Sequence, residues 1–350
     1  MTAIDVAAGS STPASPTAFL EVRDLRVHFP TEDGVVKAVD GLSFSMAAGE
    51  TLGIVGESGS GKSVSFLTVM GLINKKSAII EGQVLFQGQD LVQMSNDELR
   101  EIRGSKIAMI FQDPMTSLHP FYKVGDQISE MILAHEDISK KEAFDRSVEM
   151  LRRVNIPQPE ERAKQYPHEF SGGMRQRAMI AMALSLNPDL LIADEPTTAL
   201  DVTVQAQILD LIDRLQSEFN TAVALITHDL GVVAEHCHHI QVMYAGKIVE
   251  EGTADDIYYR PMMPYTWGLL KSLPRLGHDT DRLTPISGAP PSLIFLPDGC
   301  SFSPRCPYVF DECRVVQPDL LPIDGHHAAR CHLSLEDRER IVAQEILATS

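Results

Sequence analysis

The distribution of apolar and polar residues changes character three times along the chain. EVRDLRVHF (21–29) and VVKAVDGLSFSM (35–46) carry β-branched and aromatic residues in partial alternation around the polar TEDG, which predicts an antiparallel pair of strands. From TLGIVG (51–56) onward, the short apolar runs KIAMIF (106–111), LLIAD (190–194) and AVALITH (222–228) alternate with helical patterns. That order predicts a mostly parallel sheet wrapped by helices. Ser95 with Glu98 and Ser139 with Glu142 have capping-box spacing and mark two helix starts. Residues 114–187 hold several helical patterns and little strand character, as expected of a helical insertion. Beyond residue 256 prolines crowd in (Pro261, Pro264, Pro274, Pro285, Pro290, Pro291, Pro297, Pro304, Pro307), which predicts a looped terminal module without long helices.

Composition sharpens this picture. A chain of 350 residues exceeds the roughly 250–300 at which single cores stop growing, so two unequal parts are expected. Hydrophobic content of 44% and charged content of 22% suit a globular protein, and no apolar run approaches the ~18 residues that cross a bilayer. The opening MTAIDVAAGSSTPASPTA has neither a basic n-region nor an apolar h-region, so residues 1–18 read as a disordered tail and the protein as cytoplasmic. A formal charge of −18 without a basic stripe argues against nucleic acid as a partner.

GESGSGKS (56–63) fits G-x-x-x-x-G-K-S and lies between an apolar strand and a helical segment, where a phosphate cradle belongs. Gly56, Gly59 and Gly61, with Ser58 and Ser60 between them, let successive N–H groups face one anion, and the helix through Val64 adds its positive N-terminus. Lys62 then reaches terminal phosphates and Ser63 offers a hydroxyl to Mg²⁺. LLIADEP (190–196) places two acids at the C-terminal end of a buried strand, the edge at which open α/β sheets bind ligands. Asp194 is expected to hold Mg²⁺ and Glu195 to polarise the attacking water. Gln112 ends KIAMIFQ and can meet the metal or its water, while His228 ends AVALITH and can meet the γ-phosphate. Phe29, after the first strand, is a candidate to stack on adenine.

FSGGMRQR (170–177) adds a second anion-binding helix start, Ser171 with Gly172 and Gly173, to a chain that already has one cradle. Two cradles for one nucleotide suggest two chains. With GESGSGKS, IFQDP, LLIADEP, TALD and ITHD in this order, residues 20–255 resemble the ATP-binding cassette (ABC) proteins. The resemblance implies an α/β P-loop NTPase with an antiparallel β subdomain, a helical subdomain and, after residue 255, a small Cys-rich module. It implies an ATPase in which Ser171–Gly173 of one cassette clamp the γ-phosphate held by Gly56–Ser63 of another, with Ala199–Asp201 as the D-loop and His228 as the switch histidine. Met174, in place of the usual signature glutamine, resembles the D-type subunit of dipeptide and oligopeptide importers. RPMMPYTWGLLKSLP (260–274) is similar to the segment opening the extra domain of peptide and nickel importer cassettes, with Met263 where histidine is usual. Implied partners are a non-identical F-type cassette, two transmembrane permease subunits and an extracytoplasmic binding protein, with this chain peripheral on the cytoplasmic face. A soluble ABC ATPase working on ribosomes or DNA, and an importer for nickel or another solute, are the alternative readings.

Cys300, Cys306, Cys313 and Cys331 lack both the C-x₂₋₄-C knuckle of zinc sites and the common ferredoxin spacings, so spacing leaves the metal open. Four soft thiolates in a core-poor segment imply a stapling metal or cluster site. The resemblance favours a [4Fe–4S] cluster, with zinc second and free buried cysteines third, and with His326, His327 or His332 as substitute ligands. The run EHCHH (235–239) around Cys237 reads as no metal site, because adjacent residues at a helix end point apart.

Overall fold

The computed structural model describes residues 18–113, 117–198, 200–273 and 285–346. Nearly all of the expected tail, and Ala199 and Pro274, lie outside them. The expected hairpin forms from β1 (Leu20–Thr31) and β2 (Gly34–Met46), antiparallel with Leu20 opposite Met46 and Thr31 opposite Gly34. In β1, Leu20 and Val22 are buried, and then Leu25 and Val27. The register shifts between Val22 and Leu25, with Asp24 at φ 43°, so a bulge restores the inward-facing set.

β3 (Thr51–Val55) leads into α1 (Lys62–Val69). β4 (Ile79–Phe86) and β5 (Gln89–Asp90) extend the hairpin to a four-stranded antiparallel sheet of order β2-β1-β4-β5. α2 (Asn96–Ile102) opens on the expected capping box of Ser95 and Glu98 and precedes β6 (Ile107–Ile110). The expected helical region follows: α3 (Val124–Leu133), α4 (Lys140–Arg153), α5 (Pro159–Arg162), a 3₁₀ turn at Pro167–Glu169 and α6 (Gly172–Ala183). At α4, Ser139 accepts from the Glu142 N–H.

The chain then returns to the sheet through β7 (Leu190–Asp194), α7 (Val202–Phe219), β8 (Ala222–Thr227), α8 (Leu230–His236), β9 (His239–Tyr244) and β10 (Lys247–Thr253). The remainder comprises α9 (Ala254–Tyr259), α10 (Pro264–Lys271), α11 (Asp311–Val315), β11 (Leu321–Asp324), β12 (His327–Ala329), α12 (Leu335–Ile341) and a π turn at Val342–Ile346. The large sheet has order β11-β12-β10-β9-β3-β8-β7-β6, and its strands from β9 to β6 run parallel.

Alternation along these buried strands assigns two cores. Leu190 and Ile192 face the antiparallel sheet with Leu52 and Ile54, while Leu191 and Ala193 face the helices with Val223 and Leu225. The terminal module is joined to the cassette more closely than its proline content suggests. β12 pairs with β10, Glu250 opposite Ala329, and the Arg330 N–H donates to the Val249 carbonyl at 2.8 Å. The edge of β10 is thereby covered. A small satellite core of Trp267, Ile341, Val342 and Ile346 closes the module's far side.

Candidate functional site

The loop from Gly56 to Gly61 is shaped by neighbours that leave no room for side chains. A Cβ at Gly56 would stand 2.2 Å from the Met243 carbonyl oxygen, and one at Gly61, where φ is +104°, 2.2 Å from that of Ala38. Gly59, at φ +79°, is open on its side-chain side. The Ser60 N–H donates to the Glu57 carbonyl at 3.2 Å, and the Gly246 N–H to the Ser60 carbonyl at 2.9 Å. Ser58 is exposed, whereas the Ser60 hydroxyl is buried without a protein partner.

Lys62 begins α1 and folds over the loop, its Nζ donating to the carbonyls of Gly56 at 2.7 Å and Glu57 at 3.1 Å. Burial pulls its pKa below the ordinary lysine value, against the opposing pull of Glu195, Asp194 and Glu57. Val64 packs its side chain into the core beneath. Phe29 lies half-buried in β1 opposite Val36 of β2, the strand whose Ala38 carbonyl covers Gly61.

Three parallel strand ends bring the polar groups together. At the end of β7, Asp194 Oδ1 accepts from the Ser63 hydroxyl at 3.0 Å. Burial raises the Asp194 pKa and neighbouring Glu195 adds to the rise, while the Ser63 hydrogen bond opposes it. Glu195 occupies a left-handed conformation, φ 46°, and its N–H donates to the Ile226 carbonyl of β8 at 2.8 Å. Such a backbone costs on the order of 1–3 kcal/mol and persists where surroundings enforce it. Here it turns the carboxylate toward Gln112 at the end of β6, whose Nε2 donates to Oε2 at 2.9 Å. The Thr198 hydroxyl donates to the same oxygen at 2.9 Å, and His228 Nδ1 stands 3.6 Å from Oε1 with its ring largely in solvent. Thr198 was not among the residues expected from sequence; its only signal is a hydroxyl three positions after the strand-end acid.

Ser171 is exposed and caps α6, its hydroxyl accepting from the Met174 N–H at 3.3 Å. Gly172 and Gly173 face the start of α7, where a Cβ on Gly173 would meet Val204 Cγ1 at 3.1 Å. Asp201 caps α7, accepting from the Val204 N–H at 3.0 Å. Among the described residues no hydrogen bond links this double cap to residues 56–63. The two helix starts of one chain, at Lys62 and at Gly172, are therefore separate features.

Cys300, Cys306, Cys313 and Cys331 line one small cavity beside Met263 and Phe302, and the Cys300 N–H donates to the Cys313 carbonyl at 2.8 Å. Among the described residues, no three of their sulfurs lie within 4.8 Å of one another, so the compact four-thiolate cluster expected from sequence is not formed. The thiols hang from four separate segments. Burial pushes the Cys306 thiol up to about 12 and that of Cys331 to about 11. His332 also borders this cavity and points Nε2 at the Val316 carbonyl, 2.9 Å away. His326 and His327 lie elsewhere, against His239 and Glu250. In the run around Cys237, His236 meets Asp213, the His238 ring accepts from the Thr51 N–H, and His239 meets Glu50. These neighbours diverge, as expected. A grouping with no sequence signal joins Asp256, Asp324 and His327, and the Arg260 guanidinium already bonds both carboxylates.

An apolar groove beside the β6 edge is lined by Met70, Leu72, Met109, Phe111, Met131 and Met179. Leu72 and Phe111 are exposed within it, and Phe121 is 81% exposed at the entrance to α3.

Residues 39–198 match the family model described as ABC transporter, and residues 249–313 the one described as oligopeptide/dipeptide transporter, C-terminal region. The chain is 52% identical to the oligopeptide transport ATP-binding protein OppD of Haemophilus influenzae, over 91% of this chain and 98% of that protein. It is also 52% identical to the dipeptide transport ATP-binding protein DppD of Bacillus subtilis, over 92% and 97%. Among solved structures, a dimeric bacterial ABC transporter cassette, MJ0796, aligns with a TM-score of 0.61 at 27% identity, covering 67% of this chain and 98% of that one.

Proposed function

The chain belongs to the ATP-binding subunits of oligopeptide and dipeptide ABC transporters, and from that premise we propose that its ATP hydrolysis drives uptake of short peptides through a membrane importer. The observation that carries the ATPase reading is the meeting of Ser63 with Asp194, and of Gln112, Thr198 and His228 with Glu195, above one phosphate loop.

In this reading Lys62 and the loop N–H groups bind the phosphates of ATP. Ser63, Asp194 and Gln112 would hold Mg²⁺, which would supply charge neutralisation for the transferring phosphoryl group. Glu195 accepts the proton of the attacking water, with Gln112 and Thr198 fixing its carboxylate and His228 free to swing onto the γ-phosphate. Phe29 stacks on adenine. The separation of the Ser171–Gly173 cap from the loop within one chain, and the dimeric state of MJ0796, support a head-to-tail pair in which each site takes its second cap from a partner cassette. We propose an F-type cassette as that partner, two permease subunits docked on the Met-rich groove, an extracytoplasmic binding protein, and a peripheral position on the cytoplasmic membrane face. Methionine-lined grooves adapt to apolar helices, which favours this docking surface.

For the cysteine cavity we propose a [4Fe–4S] cluster held by Cys300, Cys306, Cys313 and Cys331. Support comes from four cysteines bordering one cavity with no three of their sulfurs within 4.8 Å of one another, where a tetrahedral zinc–thiolate site needs all four at roughly 3.8 Å. Such a cluster would tie four segments together, and hydrolysis needs no redox step from it.

The deciding experiment is Glu195→Gln in the assembled transporter. ATP binding is expected to persist while turnover falls by about 10²–10⁴-fold. Hydrolysis at the unaltered rate would refute the assignment of the base, and absence of ATP-dependent peptide uptake by the unaltered complex in vesicles would refute peptide import.

A further inference from the structure

Among the groups of the terminal module that touch the phosphate loop is one deeply held cation. Arg305 has a side chain only 3% exposed, and its guanidinium forks onto the Glu57 carboxylate, Nη1 to Oε2 at 2.5 Å and Nη2 to Oε1 at 3.0 Å. Its other donors reach the Ser287 carbonyl from Nε at 3.0 Å, the Ile286 carbonyl at 3.3 Å and the Tyr244 hydroxyl at 3.3 Å. The guanidinium carbon stands 5.9 Å from the Tyr244 ring centre and 6.0 Å from that of Phe302. Fork, carbonyls and rings leave the group one position, unlike a solvated surface ion pair.

Glu57 is gripped at its backbone as well. Its N–H donates to the hydroxyl of Tyr265, fully buried in α10, at 2.8 Å, and its carbonyl accepts from Lys62 Nζ and from the Ser60 N–H. Every polar atom of this one loop residue is thus engaged, and two of the side chains engaging it, Arg305 and Tyr265, come from beyond residue 255. Hydrolysis as described makes no use of either.

We propose that Arg305 is a positioning residue for ATP: by clamping Glu57 it fixes the turn from Glu57 to Ser60, and with it Lys62, in the geometry that receives the phosphates. The module carrying the cysteines therefore sets the affinity of the nucleotide site on its own chain. This inference rests on the ATP-binding reading. Loss of the fork frees the Glu57 side chain and loosens the turn whose carbonyl Lys62 uses as an acceptor, so binding weakens while the strand-end groups that perform hydrolysis keep their places.

The test is calorimetric titration of the full chain with Mg-ATP, paired with thermal melting and with steady-state kinetics in the assembled transporter. Arg305→Ala is expected to weaken binding about ten-fold and raise KM to match, with kcat within about two-fold, since a charged hydrogen-bonded pair is at stake. Arg305→Lys should fall between. In an E57A background, removing Arg305 should cost nothing further. Unchanged affinity in Arg305→Ala, an equal loss with and without E57A, or a loss that simply follows a lowered melting temperature would overturn the proposal. If Arg305→Ala does not fold, Arg305→Lys is compared with and without E57A by the same criterion. Absence of nucleotide binding by the unaltered chain would sink the ATP reading itself and this inference with it.

Discussion

The candidate nucleotide site and the cysteine cavity gather their residues in opposite ways. Gln112, Asp194, Glu195 and His228 are scattered over more than a hundred positions, yet each ends a parallel strand, and hydrogen-bond registry brings them to one edge. Cys300, Cys306 and Cys313 fall within fifteen residues, yet they sit on loops and a five-residue helix, and their sulfurs stay apart. A sheet fixes its strand ends whether or not a ligand is present. A loop module with little core positions its side chains only as firmly as whatever binds them.

The sharpest way to break this contrast is at the loop the sheet supports. Gly56→Ala would force a methyl group to 2.2 Å from the Met243 carbonyl oxygen, so nucleotide affinity is expected to fall by about 100-fold or more in a titration of the full chain. Preserved affinity would mean that the rigid edge is less rigid than the geometry says. A smaller effect should appear at the cavity. Protein purified without oxygen should contain iron and acid-labile sulfide and absorb broadly in the visible, and Cys313→Ser combined with Cys331→Ser should remove all three and lower the melting midpoint by roughly 2–4 °C. An iron-free native protein would leave the cysteines as buried thiols.

The smallest effect concerns neighbours that diverge within the cassette itself. The hydrogen bond from His236 to Asp213 raises the histidine's pKa, so the pair stabilises the fold fully below the unfolded-state value near ~6.5 and loses that contribution as pH rises through the higher folded-state value. Melting curves between pH 6 and pH 9 should show this decline, and Asp213→Asn should flatten it.

Much of the site could be read from the chain because its parts are local. The glycine loop follows an apolar strand and precedes a helix, and LLIADEP names its own strand end. The antiparallel hairpin and the capping box at Ser95 were equally local. What escaped was non-local. β11 and β12 are short and mostly outside any alternation, and their place in the large sheet depends on the free edge of β10. The Arg305 fork joins positions 248 residues apart, and no pattern in either segment names the other. The left-handed backbone of Glu195 likewise comes from tertiary constraint.

Trp267 is the chain's only tryptophan. It is 2% exposed, donates from its indole nitrogen to the Pro261 carbonyl at 2.7 Å, and rests edge-on against Tyr308 under Ile341, Val342 and Ile346. Its emission therefore belongs wholly to the terminal module. A red shift on heating or chelation would record undocking of that module in a signal to which the rest of the protein contributes no indole.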